Sequence, residues 1–145
     1  MCTSSPVDYL AWHWRHFDAD HPDKKEALVR IDELAATMRC AQRLADEVGI
    51  DLLQRPMLLV TDFNVFRSFV HSGQLARVVA LNMTARHIDN KAGVEPLDVF
   101  QDIFVDLYLM SRARCLLTSH SGFSKLALWM AGGQLLRCHR DRVVC

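Results

Sequence analysis

No excess charge of either sign, no CxxC spacing, no internal repeat and no apolar run of membrane-spanning length occur in this sequence. Each absence narrows what the chain can be. Seventeen Lys and Arg balance seventeen Asp and Glu, so there is no basic field to draw duplex nucleic acid and no acidic run to form a disordered tail. Nucleic acid is therefore not an expected partner, and any phosphate-bearing ligand must be held by local groups. The five cysteines, Cys2, Cys40, Cys115, Cys138 and Cys145, are scattered and odd in number. Neither a zinc ribbon nor a disulfide framework is supported, and reduced thiols are expected, with Cys40 and Cys115 as small core hydrophobes. Residues Met1 to Pro6 do not lead from a charged region into an apolar one, which with the short apolar runs predicts a soluble chain. A length of 145 residues with 50% hydrophobic content fits one buried core and is too short for two ordinary domains, so residues 1–145 are expected to form a single domain.

What is present is an alternation of short apolar runs with amphipathic ones. Tyr9 to Trp14, bounded by Pro6 and by Asp18, Asp20 and Pro22, reads as a first strand. From Pro22 to about Val48, apolar residues recur at three- and four-residue spacing and Gly49 follows as a stop, which predicts a helix. Met57 to Thr61 is a continuous apolar run after Pro56, as expected for a strand buried on both faces of a parallel sheet. Asn64 to Gln74 predicts a short helix capped by Asp62 or Asn64, with Val65, Phe66, Phe69 and Val70 inward. Arg77 to Met83 gives a third strand, and the polar segment from Thr84 to Pro96 is the longest irregular stretch. Asp98 is read as the cap of a helix to about Ser111 with Phe100, Ile103, Phe104, Leu107 and Tyr108 on one face. Arg114 to Thr118 gives a fourth strand, Ser124 to about Gly132 a last helix, and Gln134 to Cys138 a short strand or tail. Strands alternating with helices throughout predict a Rossmann-like three-layer α/β domain with a mostly parallel sheet.

Ligands of such sheets bind at the carboxyl ends of the strands, which here carry His13 to Asp20, Thr61 to Asn64, Met83 to Asn90 and Thr118 to Ser124. The last of these is the most informative. Thr118-Ser119-His120-Ser121-Gly122 leaves a strand and enters a helix at once, presenting hydroxyls and free backbone N–H groups at the positive end of a helix dipole, a geometry suited to phosphate.

Three segments in order resemble the donor-binding half of fucosyltransferases with the GT-B fold, the group of the α-1,6-fucosyltransferases, NodZ and the protein O-fucosyltransferases. The first is His13-Trp14-Arg15-His16-Phe17-Asp18, against a family pattern of His-x-Arg-Arg with an aspartate two residues on; the second is the strand end Leu59-Val60-Thr61-Asp62. The third is Asp106 to Ala127, an aspartate in an apolar helix followed by a strand and a Ser/Thr-rich turn. The resemblance implies a GDP-fucose donor, transfer with inversion to a glycan or protein hydroxyl, and no bound metal or other cofactor. It implies that His13 and Asp106 contact the guanine end, Arg15 the β-phosphate, and Thr118 and Ser121 the phosphates. Arg15 and Asp18 would be the catalytic pair, Arg15 stabilising the departing diphosphate; for the base beside the acceptor Asp18, Asp20 and Asp23 all lie within reach, and Asp18 is placed first because it matches the motif. Where the family has a second arginine this chain has His16, and Phe17 replaces a small residue, so the phosphate grip is weaker and depends on pH. The family's enzymes need an N-terminal half for the acceptor; this chain corresponds to the other half, and a secretory-pathway enzyme containing it would act in the Golgi or ER lumen.

Plainer readings stand beside each residue. Ser121 and Asp62 suit helix N-caps, Arg15 a surface cation, His13 a core histidine with one satisfied nitrogen, and His87 and Asp89 a solvated loop. Asp106 has only Met110 at i+4, not a cation. Two other functional classes compete. His13, His16, Asp18, Asp20 and His21 fall within one short stretch similar to the HxHxDH motif of metallo-β-lactamase-type hydrolases, with one histidine replaced. A non-catalytic module that keeps a nucleotide-sugar pocket is the third class.

Overall fold

The computed structural model describes residues 7–15, 31–85, 96–118 and 121–132. Among these described residues eight elements follow in alternation: β1 (Val7–Trp14), α1 (Ile31–Val48), β2 (Met57–Thr61), α2 (Asn64–His71), β3 (Val78–Ala80), α3 (Pro96–Arg112), β4 (Ala113–Thr118) and α4 (Gly122–Met130). The four strands form one parallel sheet in the order β3-β2-β1-β4. The expected three-layer α/β architecture with a parallel Rossmann-like sheet is thus the one observed.

Alternation along the strands divides the core into two layers, because successive side chains point to opposite faces. Leu10 and Trp12 of β1, Met57 and Leu59 of β2 and Cys115 and Leu117 of β4 pack with Cys40, Ala41 and Leu44 of α1 and Phe66 and Val70 of α2. Ala11, Leu58, Val60 and Leu116 face the other way, onto Leu107 and Met110 of α3 and Ala127 and Leu128 of α4. Burial of both faces accounts for the near-continuous apolar composition of β2 and β4. Each fully buried Leu or Met contributes about 1.5–3 kcal/mol.

α1 ends where the sequence says it must. Gly49 takes φ +70°, the left-handed conformation that glycine adopts without strain, and Ile50 N–H closes back onto the Ala45 carbonyl at 2.8 Å.

Several local expectations are corrected. The part of the first predicted helix before Ile31 lies outside the described residues, as does everything after Gly132. Neither Asp62 nor Asn64 caps α2: its N-cap position is Phe63, without a side-chain cap bond. Instead the Thr61 hydroxyl accepts from Phe63 N–H at 3.1 Å, and Asn64 exchanges two hydrogen bonds with the Ala85 backbone. The inward face of α2 is Phe66, Arg67 and Val70, whereas Val65 is 72% exposed and Phe69 is also exposed. The helix is rotated from the expected face because Arg67 finds buried partners that Val65 and Phe69 do not displace. On α3, Phe100, Phe104 and Tyr108 are exposed and the buried line is Asp106, Leu107 and Met110. Asp98 lies within α3 rather than at its cap.

The cysteine expectation is also overturned. Cys40 and Cys115 are buried in the same layer, and both are disulfide-bonded, not reduced. Cys2, Cys138 and Cys145 lie outside the described residues.

Candidate functional site at the carboxyl ends of the strands

The parallel register brings three strand ends level. His13 stands opposite Val60 of β2 and Thr118 of β4, and Trp14 stands opposite Thr61. By alternation His13 and Thr118 belong to the face that carries α3 and α4, and Trp14 to the face of α2, where it stacks edge-on against Phe66 with ring centroids 5.1 Å apart. Polar side chains at the top of the sheet are therefore concentrated in the α3/α4 layer, with an aromatic group behind them.

His13 is 4% exposed, and its Nδ1 lies 3.1 Å from the hydroxyl of Ser124. The Ser124 hydroxyl has one proton, which it donates to the Ser121 carbonyl at 3.2 Å, so the imidazole Nδ1–H is the donor to Ser124 and Nε2 keeps the free lone pair. Burial lowers the His13 pKa to about 4; Asp62 opposes this, while Arg15 and Arg67 reinforce it. The ring is neutral at physiological pH, an acceptor through Nε2 rather than a cation.

Arg15 follows β1 directly, and its Nε lies 3.9 Å from Oδ2 of Asp62, the residue after β2. Two adjacent strand ends thus set a guanidinium beside a carboxylate. Thr118 is buried at the last position of β4. Ser121 is the N-cap of α4: its backbone is extended, and its hydroxyl accepts from Phe123 N–H at 3.1 Å. The capping reading of Ser121 is therefore realised, on a helix whose first turn reaches His13 through Ser124.

Asp106 is buried on α3 with Met110 at i+4, and its cation comes from α2. Arg67 donates through Nη2 to Asp106 Oδ2 at 2.7 Å and through Nη1 to Oδ1 at 3.4 Å. Desolvation pushes the Asp106 carboxyl above its usual range, and Arg67 holds against that rise. Sequence reasoning missed Arg67. The signal was an aspartate in an apolar helix with no cation at i+4, which calls for one from elsewhere, together with an arginine flanked by Phe66 and Val70.

Asp18 lies outside the described residues, as do His16, Asp20 and His21 of the alternative metal stretch and His87 and Asp89 of the long loop. Among the described residues no group of three or more His, Cys, Asp or Glu could hold a metal ion. His13, the described member of that stretch, turns its Nδ1 to Ser124.

A parallel α/β sheet of the Rossmann type, with its buried polar groups gathered at the carboxyl ends of β1, β2 and β4, is the class of protein defined here. Among solved structures, the chain is similar to NodZ alpha-1,6-fucosyltransferase co-crystallized with GDP, with a TM-score of 0.45 and 19% sequence identity. The match covers 83% of this chain and 34% of that one, so the chain spans about a third of the length of the NodZ chain. No family model matches the sequence, and no curated protein matches it. Among the described residues no helix is long and apolar enough to cross a membrane.

Proposed function

We propose that this chain is the GDP-sugar-binding half of a fucosyltransferase-like GT-B glycosyltransferase, transferring fucose to a glycan or protein hydroxyl when joined to an acceptor-binding half. The observation that carries this reading is the end of β1, where His13 stands in register with Thr118 ahead of the Ser121-capped helix and Arg15 lies beside Asp62. These are the positions at which the motif resemblance expects donor contacts. A guanidinium at a strand end gives a permanent, bidentate grip on a diphosphate, and Asp62 at its side orients it. As the glycosidic bond breaks, negative charge grows on the β-phosphate, and Arg15 with the N–H groups of the α4 end offsets it. Neutral His13 accepts a hydrogen bond from the nucleoside through Nε2, and Asp106 accepts from the guanine edge. Thr118 lends a hydroxyl to the phosphates. Asp18, by its place in the motif, accepts the proton of the acceptor hydroxyl. No metal enters this scheme.

Calorimetry of the full chain with GDP and GDP-fucose tests the reading. Binding that weakens by about tenfold or more in Arg15→Ala is expected from loss of a charge-assisted bidentate contact. No heat from the wild type, or equal binding by the variant, removes it. Release of fucose from GDP-fucose by the purified chain, with or without an added acceptor, separates an enzyme from a module that only binds.

A further inference from the structure

Arg67 belongs to one helical layer and serves the other. α2 lies on the α1 side of the sheet, where Phe66 and Val70 pack against Trp12 and Leu59. From that side the Arg67 guanidinium reaches past the carboxyl end of β2, donating through Nε and Nη2 to the Thr61 carbonyl at 3.2 and 2.9 Å, and on to both oxygens of Asp106 on α3. Its exposure is 2%, so this is a fully desolvated bridge. The planar fork of arginine fixes both directions at once, which a lysine ammonium cannot do.

The bridge leaves Asp106 usable. A carboxylate has about four lone-pair positions, and Arg67 takes one on each oxygen, so acceptor capacity remains for a second pair of donors. We infer that Arg67 is the positioning residue for base recognition: it pins the Asp106 carboxylate to the end of β2, so that the group proposed to read guanine stands at a fixed distance from Arg15 and Asp62. The inference rests on the proposed function for the identity of the base. Arg67 also favours the ionised form of the acceptor. Desolvation and, one turn back on α3, Asp102 push the Asp106 carboxyl towards protonation, and Arg67 opposes both.

Guanine and adenine separate positioning from structure, because GDP and ADP share ribose and diphosphate and differ at the base edge that a carboxylate reads. Affinities for GDP and ADP are measured by calorimetry on the full-length wild type, R67K and R67Q, each checked by thermal melting. The expected result is a wild-type preference for GDP that falls in R67K, which keeps the charge but not the fork, and falls by about tenfold in R67Q, with ADP changed less than about twofold. Parallel losses for both nucleotides, or an unchanged GDP to ADP ratio, overturn the inference. If the wild type binds neither nucleotide, the GDP reading falls by itself, and carbon-13 titration of the Asp106 carboxyl then decides on Arg67. An upward shift in R67Q, with a smaller one in R67K, supports the positioning role, and an unmoved titration overturns it.

Discussion

The imidazole of His13 and the hydroxyl of Ser124, 3.1 Å apart, tie the central strand β1 to the first turn of α4. Ser124 passes the connection on to the carbonyl of Ser121, the residue that caps the same helix. One short chain of hydrogen bonds thus sets the tautomer of the histidine and the seat of the helix end together, and it depends on the ring staying neutral.

A neutral buried histidine makes stability depend on acid. His13 titrates at about 4 when folded and at 6.5 in its ordinary state, so the unfolded chain binds more protons between those values. Its contribution is fully present above pH 6.5 and is lost as pH falls towards 4, by on the order of 3 kcal/mol. Asp106, pushed upward, acts in the opposite sense, so the comparison is made variant against wild type at each pH. Urea unfolding of His13→Gln should show a shallower acid slope than wild type; matching slopes would contradict the assignment.

The Arg67–Asp106 pair predicts a strongly non-additive response. Arg67→Met alone strands a buried carboxylate and Asp106→Leu alone strands a buried guanidinium, each expected to cost about 3–5 kcal/mol. The double substitution restores an apolar contact and should cost much less than the sum. Chemical denaturation of the three variants measures this, and additive losses would show that the pair is not coupled.

For the disulfide-bonded cysteines, Cys40→Ala should lower stability by about 2–5 kcal/mol. Thiol counting on the denatured chain gives a second reading: the number of reactive thiols should rise after reduction. Equal counts with and without reductant would return both residues to the role of free core hydrophobes.

Ser121 can be separated into its two roles by a pair of substitutions. As an N-cap, Ser121→Ala should cost about 1 kcal/mol and Ser121→Gly only a few tenths. As a phosphate ligand, both remove the same hydroxyl and should weaken GDP binding alike. Affinity that tracks stability, with the glycine variant binding as the wild type does, would leave Ser121 a cap alone.

The layer order was legible because it rests on signals that tertiary contacts seldom reverse: apolar runs such as Met57 to Thr61, and Gly49 closing a periodic helix. Helix faces were less so. Counting Val65, Phe66, Phe69 and Val70 as one face assumed that a core excludes charge, and the ionic partner of buried Arg67, Asp106, lies across the sheet on α3, out of reach of any local pattern. The exposed Phe100, Phe104 and Tyr108 misled in the converse way, since apolar character alone does not say which side of a helix is covered. At the candidate site, residue types and strand ends could be read from the sequence. The pairing of Arg67 with Asp106, the tautomer of His13 and the oxidation state of Cys40 and Cys115 are products of long-range geometry.

The place of β1 in the sheet also bears on how the chain acquires its structure. β1, which carries His13 and leads into Arg15, is synthesised before both of its neighbours, β2 and β4, the latter pairing Val7 with Ala113 and His13 with Thr118. Pairings so distant in sequence close slowly. The candidate site cannot be assembled during synthesis until Thr118 and Ser121 have emerged. Nascent chains stalled before that point should therefore expose the apolar flanks of β1, and would be the species most prone to misassociation.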